Sequence, residues 1–566
     1  MYRTKEALPK TSIWDEFEKG QNFNSTKGIF VDTDKNYRFY NENQWEGLES
    51  GPIEPVVFNI IKPIVKYKVG TINLNEFAIN YSSENFDDPT FQMEAEKICD
   101  KLNRYAAIIW EKSNMATLLR KVSKRACINS EGVVYINVDE NNNPECEILK
   151  KNNVYYGNEN DEDIQQQPYI IISKRVPLKQ AIELAKFNGI SEKEIQNIMP
   201  DSNVKYESGD NAKTEVDDKV TILTKLWKEN GIVYVSKSTK FVDIVKAKST
   251  EMKYYPLAHI VWESVEGSAR GQGEVKYIIP NQIEINKTLM RIALATKLGT
   301  YPIKVVAVDK VLNPSVLDKV GATIKLQGAT VDDVKKYVGY IQPAPLSTSS
   351  DNLLTSLIST TRELAGAGDV ATGDINPEQA SGRSILAVQQ ASQLPLTEQS
   401  TALKQLCEDI ARIFFDIWQT YNKDGMTLYD EKPIEVEENG IKEKKMEKVP
   451  YKVSSDVLNK LRVCVKIDIT PKSAYDKLAL EQSLENLLNN QYINFKEYVN
   501  ALPFDSSMPK SILERILHSR EVEQQKINQI EQEGNNIQSK LTHYLNQNEQ
   551  INDLDMEAEQ IVNQVQ

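Results

Sequence analysis

Histidine, cysteine and long apolar runs are all scarce in this chain of 566 residues. The 3 histidines lie far apart, and the 5 cysteines are scattered without a CxxC pair. This distribution excludes a disulfide framework and a zinc site, and it predicts buried thiols in a reducing compartment. No stretch approaches the roughly 18 apolar residues of a membrane span, and MYRTKEALPK lacks the apolar core of a signal peptide. We therefore expect no membrane contact and assembly in a cytosol.

A surplus of basic residues is also missing. Acidic residues number 81 against 68 basic ones, which gives a formal net charge of -13 and a pI of about 5.2. This balance disfavours a protein built to hold nucleic acid tightly but leaves passing contact with DNA open. Hydrophobic residues at 40% and charged residues at 26% are typical of a globular protein. The length predicts roughly three to five structural units.

Motifs for catalysis and for ligand binding are absent or incomplete. The Gly-rich segment Glu266–Gly273 precedes a predicted helix but lacks the Gly-Lys-[Ser/Thr] of a P-loop, so we interpret it as a tight turn. Asp32, Asp34 and Asn36 begin like a calcium loop, but Tyr37 occupies the position that requires glycine, which favours an Asx turn. The sequence predicts no catalytic residue, no metal site and no cofactor, and this favours a structural or mechanical role.

Apolar periodicity divides the chain into a β-rich half and a mostly helical half. A helix is predicted from about Thr90 to Arg125, and residues 132–260 are mostly β. The elements predicted further along the chain are a helix over Ile279–Leu298, a strand over Ile303–Val308, a helix over Ser350–Ala365, a small-residue loop over Gly366–Pro377, a long helical tract over Gln379–Asn422 that is kinked at Pro395, a hairpin turning at Asn439-Gly440, a strand over Leu461–Ile469, and helices from Ser473 onward.

This order of elements resembles that of the portal (head-to-tail connector) proteins of tailed bacteriophages. The resemblance covers roughly residues 35–505. The segments that carry it are Tyr40–Trp45, Asn59–Val65 with Gly70, Gly271–Gly273 through Gln282 and Asn286, Ser381–Leu386, and Thr470–Ser473. Each segment alone is a weak signal, and their shared order is the stronger one.

The resemblance implies an α+β portal fold with long stem helices, a β-rich wing, a small α/β clip and a helical C-terminal crown. It also implies a domain for each part of the chain. The implied domains are the wing (1–273 and 381–470), the two stem helices (274–300 and 346–365), the clip (301–345), the tunnel loop (366–380), and the crown with a polar C-terminal helix (471–566).

The function that the resemblance implies is structural, not enzymatic. It is a ring of about twelve copies at one capsid vertex that conducts double-stranded DNA during packaging and ejection. The partners implied are further copies of the chain, the large terminase subunit, a head-tail adaptor, and the major capsid and scaffolding proteins. The implied location is the virion, after assembly in the host cytoplasm.

Two groups of residues follow as candidate sites. The tunnel-loop residues expected to face DNA are Asp369, Thr372, Asp374, Asn376 and Glu378. Ile283, Met290 and Ala293 lie at helical spacing and are expected to pack against neighbouring stem helices.

The charge of the loop region fits a DNA channel. Between Tyr340 and Ser400 there are 2 basic and 6 acidic residues, a net charge of -4, and such a lining would not retain phosphates. The alternative explanation is that surface loops are acidic in any acidic protein. Two other function classes also stay open at this point: a phage DNA-processing enzyme with unrecognised catalytic carboxylates, and a non-viral cytosolic oligomeric scaffold.

Overall fold

The computed structural model describes most of the chain in two compact units, Met1–Thr470 and Pro471–Gln566. The described residues are 10–46, 54–201, 218–300, 303–341 except positions 318, 320, 322, 329, 331 and 333, 348–368, 394–438, 441–470, 483–502, 513, 516 and 517. For residues 430–438 and 441–448 the description covers the backbone alone.

Helices are distributed along the whole of the first unit. They are α1 (Ser12–Thr26), α2 (Ile29–Tyr40), α3 (Ile61–Ile72), α4 (Pro89–Lys112), α5 (Met115–Asn129), α6 (Leu178–Phe187), α7 (Glu192–Ile195), α8 (Glu274–Thr300), α9 (Val334–Tyr337), α10 (Thr348–Leu364), α11 (Thr397–Tyr421) and α12 (Ser455–Lys460). Short 3-10 turns occur at Lys151–Asn153, Ile164–Gln166, Pro314–Val316 and Leu394–Leu396.

Strands form small antiparallel sheets. They are β1 (Glu76–Ser83), β2 (Glu131–Val138), β3 (Pro144–Leu149), β4 (Val154–Tyr156), β5 (Tyr169–Pro177), β6 (Lys219–Glu229), β7 (Ile232–Ser238), β8 (Asp243–Ser249), β9 (Leu257–Val261), β10 (Glu263–Val265), β11 (Ser268–Gln272), β12 (Ile303–Val306), β13 (Val338–Ile341), β14 (Met426–Glu438), β15 (Ile441–Val453) and β16 (Val463–Thr470). One sheet has the order β4-β5-β6-β7-β8 and another β3-β2-β9. The remaining pairs are β1-β16, β10-β11, β12-β13 and β14-β15.

One large hydrophobic core joins distant parts of the first unit. It contains the apolar faces of α3, α4 and α5, the strands of the β2 sheet, the first half of α8 and almost the whole inner face of α11. The Tyr81 hydroxyl on β1 donates to the Ala411 carbonyl on α11 over 2.8 Å. Residues before position 273 and residues 394–470 therefore fold as one body, although about 120 residues separate the two stretches along the chain.

The second unit is described over a short stretch. Its helix α13 (Phe495–Ala501) begins with a capping box, in which Asn494 and Glu497 bond to each other's backbone N–H groups. Tyr498, Val499 and Leu502 form a small buried cluster of their own.

Most strands lie where the sequence predicts them, and two helical regions differ. The helix expected over Thr90–Arg125 is two helices, because Asn114 adopts a left-handed conformation (φ 49°) between α4 and α5. The calcium-like residues Asp32, Asp34 and Asn36 lie within α2, so the predicted Asx turn is wrong. Asp34 instead pairs with Arg38 one helical turn later, at 3.2 Å.

Candidate functional site

Helix α8 has a buried half and an exposed half. Its 27 residues begin at Glu274, and its side chains are buried at positions spaced three and four apart as far as Met290. None of residues 291–300 is buried. Helix α10 packs beside α8, and Thr361 alone is buried among the α10 side chains that the structure describes. The helix pair therefore starts inside the body and leaves it.

Three side-chain amides hold the buried half of α8 in place, and we call them the amide clasp (Gln44, Gln282 and Asn286). The Asn286 amide donates to the Gln44 carbonyl oxygen over 2.6 Å and accepts from the Phe58 backbone N–H at 3.0 Å. Gln282 accepts from the Ile60 N–H at 3.0 Å and donates to the Phe58 carbonyl at 2.7 Å.

All three amides of the clasp are buried, with at most 2% exposure. Because a buried amide is costly unless its hydrogen bonds are made, these residues fix the position of α8 against residues 56–60. The clasp also brings together three separate segments of the portal resemblance. The sequence showed these segments as isolated motifs, and the structure shows that they share one set of hydrogen bonds.

The predicted stem-packing residues differ in burial within a single chain. Met290 is buried with 9% exposure, Ile283 is half-buried against the main core, and Ala293 is exposed. Met290 and Ile283 therefore contact their own chain, and Ala293 remains available to a neighbour. Packing of these three residues between subunits stays a prediction.

The predicted tunnel-loop residues Asp369, Thr372, Asp374, Asn376 and Glu378 lie outside the described residues. The structure describes the chain up to Gly368 and again from Leu394. At the first end, Gly366 follows α10 with φ +63°, a conformation that favours glycine. A Cβ atom placed on Gly366 would lie 3.6 Å from the Pro395 Cβ atom. The described stretches that flank residues 369–393 therefore lie close together.

The Gly-rich segment Glu266–Gly273 is shaped by packing. Gly267 (φ +70°) turns β10 into β11, which leads directly into α8. A Cβ atom on Gly273 would lie 2.6 Å from the Ser130 backbone nitrogen, so no larger residue fits there. The structure thus gives a tight turn into the helix, as the sequence indicates.

A cavity of about 270 Å³ lies beside this segment. Two of its lysines already have partners on the protein. Lys276 pairs with Asp32 at 2.8 Å, and Lys151 donates to the Asn129 carbonyl at 2.8 Å and to the Ser130 hydroxyl at 2.7 Å. Burial lowers the pKa of Lys151 to about 8. Since these cations are satisfied, the cavity does not favour a phosphate-binding role.

A buried charge network lies under the same segment, and it consists of Glu131, Glu159, Arg270, His259 and Tyr156. Arg270 donates to Glu131 over 2.6 Å and makes a two-pronged contact with Glu159 at 2.8 and 2.9 Å. Burial alone would raise the pKa of Glu131, but the charge of Arg270 and the hydrogen bond with His259 outweigh it and hold the pKa at about 2.

Every carboxylate of the network is occupied by ion pairs and hydrogen bonds. The hydroxyl of Tyr156 and the imidazole of His259 each lie 3.1 Å from the second oxygen of Glu131. The network ties β2, β9 and β11 together, and its chemistry is structural. Among the residues that the structure describes, no group of three or more His, Cys, Asp or Glu side chains is arranged to hold a metal ion. None of the described helices combines the length and the apolar character of a membrane span.

Comparison with known families identifies the class of protein. The family model described as phage P22-like portal protein matches residues 31–566. The chain belongs to the P22-like phage portal protein family. The comparison with curated proteins found no match. The portal resemblance and the α+β portal fold are therefore confirmed.

Membership of the portal family gives the chain a structural role. Portal proteins connect head and tail, act in genome packaging and are part of the phage capsid, and the family is not one of enzymes. The family also implies a homo-oligomeric ring that interacts with capsid and terminase. The sequence did not indicate that the residues of the amide clasp, or those of the charge network, contact each other in this portal protein. The spacing of 139 residues between Glu131 and Arg270 gives no local signal.

Proposed function

We propose that this portal protein forms a closed ring of about twelve copies at one capsid vertex. The ring conducts double-stranded DNA during packaging and ejection. It also acts as the docking platform for the large terminase subunit and the head-tail adaptor, and it contacts the major capsid and scaffolding proteins. It resides in the virion after assembly in the host cytoplasm.

The proposal rests on one folded body whose chain is interrupted by residues 274–364, which run from the start of α8 to the end of α10. We call these residues the excursion. Strand β1 pairs with β16 along eight positions, from Glu76 opposite Thr470 to Ser83 opposite Val463. The Asp416 carboxylate on α11 accepts from the backbone N–H groups of Lys253 and Tyr254 at 2.8 and 3.0 Å. These contacts join the two chain halves, which supports a single wing made of residues 1–273 and 381–470.

The excursion between the two halves supplies the stem and the clip. Helices α8 and α10 leave and rejoin the body side by side, which supports stem helices at 274–300 and 346–365. Residues 301–345 between them would form the clip. In the described part of that segment only Val311 is buried, whereas Ile303, Val308 and Leu312 are 65%, 74% and 58% exposed.

A segment with exposed apolar side chains and almost no buried ones of its own suits a contact with other chains. Neighbouring subunits and the docking proteins are the partners that we assign to it. Residues 366–380 would form the tunnel loop. They begin at Gly366, which lies close to Pro395, and they carry the acidic residues Asp369, Asp374 and Glu378. Residues 471–566, the second compact unit, would form the crown.

Native mass measurement with negative-stain imaging of the purified chain tests the proposal. We expect ring-shaped particles near twelve times 64.3 kDa, which is about 770 kDa. Head-to-tail contacts close into rings when the rotation between copies is a whole fraction of a turn. A protein that stays at 64.3 kDa across micromolar concentrations would contradict the ring. A monomer with metal-dependent nuclease activity would instead support the DNA-processing enzyme.

A further inference from the structure

The longest hairpin in the described part of the chain is a two-stranded ribbon that we call the charged ribbon (β14 and β15). The strands pair antiparallel at 13 positions, from Met426 opposite Val453 to Glu438 opposite Ile441. Each strand is about 40 Å long at the usual rise per residue. The base of the ribbon belongs to the body, because Met426, Leu428 and Val453 lie in the main core.

Both strands of the charged ribbon have a free edge within the described structure. The sheet that contains them has the order β14-β15, with no third strand among the described residues. An edge strand offers unpaired N–H and C=O groups to another strand, and an isolated two-stranded ribbon is only marginally stable in water. A partner strand along these edges would pair the free backbone groups and would stabilise the ribbon.

The charges of the ribbon are sorted by strand. Strand β14 contains five acidic residues and one lysine, a net charge of -4, and strand β15 contains five lysines and two glutamates, a net charge of +3. The register places Glu431, Glu435 and Glu437 opposite Lys448, Lys444 and Lys442. Ion pairs across the ribbon would be just as favourable if acidic and basic residues were mixed on both strands, provided that opposite charges faced each other. Sorting them by strand gives the ribbon one acidic edge and one basic edge.

We propose that the acidic strand β14 of one subunit lies along the basic strand β15 of the next subunit in the ring. This inference rests on the proposed ring. In a head-to-tail ring each subunit presents two different surfaces to its two neighbours, so opposite charges on two edges are what such a contact needs. In copies related by rotation about the ring axis, the ribbons have the same strand direction along that axis. Strand β15 of one copy therefore runs antiparallel to β14 of the next, as the two strands do within one ribbon.

A charge-exchanged chain tests the contact without weakening the ribbon itself. The exchanged chain carries Glu431→Lys, Glu435→Lys and Glu437→Lys together with Lys442→Glu, Lys444→Glu and Lys448→Glu. Within this chain each of the three exchanged pairs still places a glutamate opposite a lysine, so we expect it to fold and to form rings alone. Beside the unchanged chain, lysines would meet lysines at one junction and glutamates would meet glutamates at the other.

The experiment mixes unchanged and exchanged chains, each with its own affinity tag, before ring assembly at low salt. We expect at least about tenfold fewer mixed rings than random mixing gives, measured by tandem purification and native mass. Random mixing would overturn the proposal. As a matched control, Glu147→Lys with Lys174→Glu exchanges an exposed ion pair of 2.9 Å elsewhere in the wing, and this chain should mix freely with the unchanged one.

A second pair of variants checks the sign of the effect. One chain carries only the three β14 changes and the other only the three β15 changes, so each places like charges on both strands. Alone, each should require at least about tenfold more protein to form rings; mixed in equal amounts, they should recover, because every junction then joins opposite charges. Recovery by mixing cannot arise from attraction within one ribbon.

The outcomes separate this inference from the proposed ring. If the unchanged chain forms no rings, the proposed ring itself fails. If it forms rings while exchanged and unchanged chains mix at random, the ring stands and the ribbon contact is wrong. Near-ultraviolet circular dichroism identifies any variant that does not fold. If a three-residue variant does not fold, mixing of the exchanged chain with the unchanged chain decides whether neighbouring ribbons are in contact.

Discussion

The body of the first unit and the excursion between α8 and α10 differ in how much of their apolar surface they bury themselves. In the body, Leu102, Val122 and Phe414 are completely buried. In the excursion, Val305 and Tyr340 remain 49% and 55% exposed. The body therefore contains its own core, whereas the excursion presents surface that a single chain leaves uncovered. We infer that the body is stabilised within one subunit and that the excursion is stabilised by the ring.

The largest loss in the free energy of unfolding is expected for a substitution inside the body. Replacement of Arg270 by Met leaves Glu131 buried without its main counter-charge, and we expect a loss of about 3–5 kcal/mol in the free energy of unfolding. Urea denaturation measures it. The control is Lys174→Met at the exposed pair with Glu147, where we expect less than about 1 kcal/mol. Equal losses in the two variants would show that the network does not stabilise the body.

The boundary between the buried body and the exposed part of the excursion lies within α8. Met290 and Ala293 lie on opposite sides of this boundary. Met290→Asp places an unpaired charge in a buried position and should cost several kcal/mol of subunit stability. Ala293→Asp changes an exposed position and should alter subunit stability by no more than about 0.5 kcal/mol. Both changes should reduce ring formation. Rings that form normally with Asp at both positions would show that α8 is not a stem helix.

Acid should weaken the body through Glu131. Its pKa of about 2 in the folded chain lies below the ordinary value of 4.5, so the unfolded chain binds more protons between these values. The stabilising contribution is complete above pH 4.5 and is lost as the pH falls towards 2. The change amounts to about 3 kcal/mol, and Glu131→Gln should remove it from urea titrations between pH 5 and 3. An unchanged pH dependence in this variant would contradict the assignment.

The smallest effect on folding is expected in the excursion. Val308 is 74% exposed, so Val308→Ser should change the unfolding free energy of the subunit by no more than about 0.5 kcal/mol. The same change should raise the protein concentration that ring formation requires, because a neighbour covers this surface. Analytical ultracentrifugation measures that concentration. If assembly is unaffected, the exposed apolar residues serve another partner.

Local periodicity predicted much of the fold, and its failures have physical causes. Strands in residues 132–260 and the two long helices α8 and α10 follow patterns of two and of three to four residues, so they were readable. The break at Asn114 was not readable, because apolar residues continue at helical spacing on both sides of it. Helices α1 and α2 were missed because their many polar and aromatic residues also suit turns and strands.

The long-range parts of the fold had no signal in the sequence. Strand β1 pairs with β16 almost four hundred positions later, and the charge network joins Glu131 to Arg270 across 139 residues. The amide clasp gave a partial signal, because Gln44, Gln282 and Asn286 all lie in segments of the portal resemblance. Their contact with each other could be known only from the fold.

If this portal protein conducts DNA, the charge of the tunnel loop should affect the passage of DNA. Asp369→Lys, Asp374→Lys and Glu378→Lys in one chain would replace acidic residues by cations in residues 366–380. We expect ring formation to be unchanged, since a surface loop adds little to the core. DNA binding by the ring should become salt-sensitive, with a slope steeper by up to about 0.9 for each added phosphate contact.

The measurement is the DNA content of capsids assembled with this triple variant beside capsids with the unchanged chain. Our account predicts slower and incomplete filling, because cations that line the channel hold the DNA at each step. Normal filling together with unchanged DNA binding by the isolated ring would show that residues 366–380 do not face DNA. The tunnel-loop assignment, and with it this account of the channel, would then be contradicted.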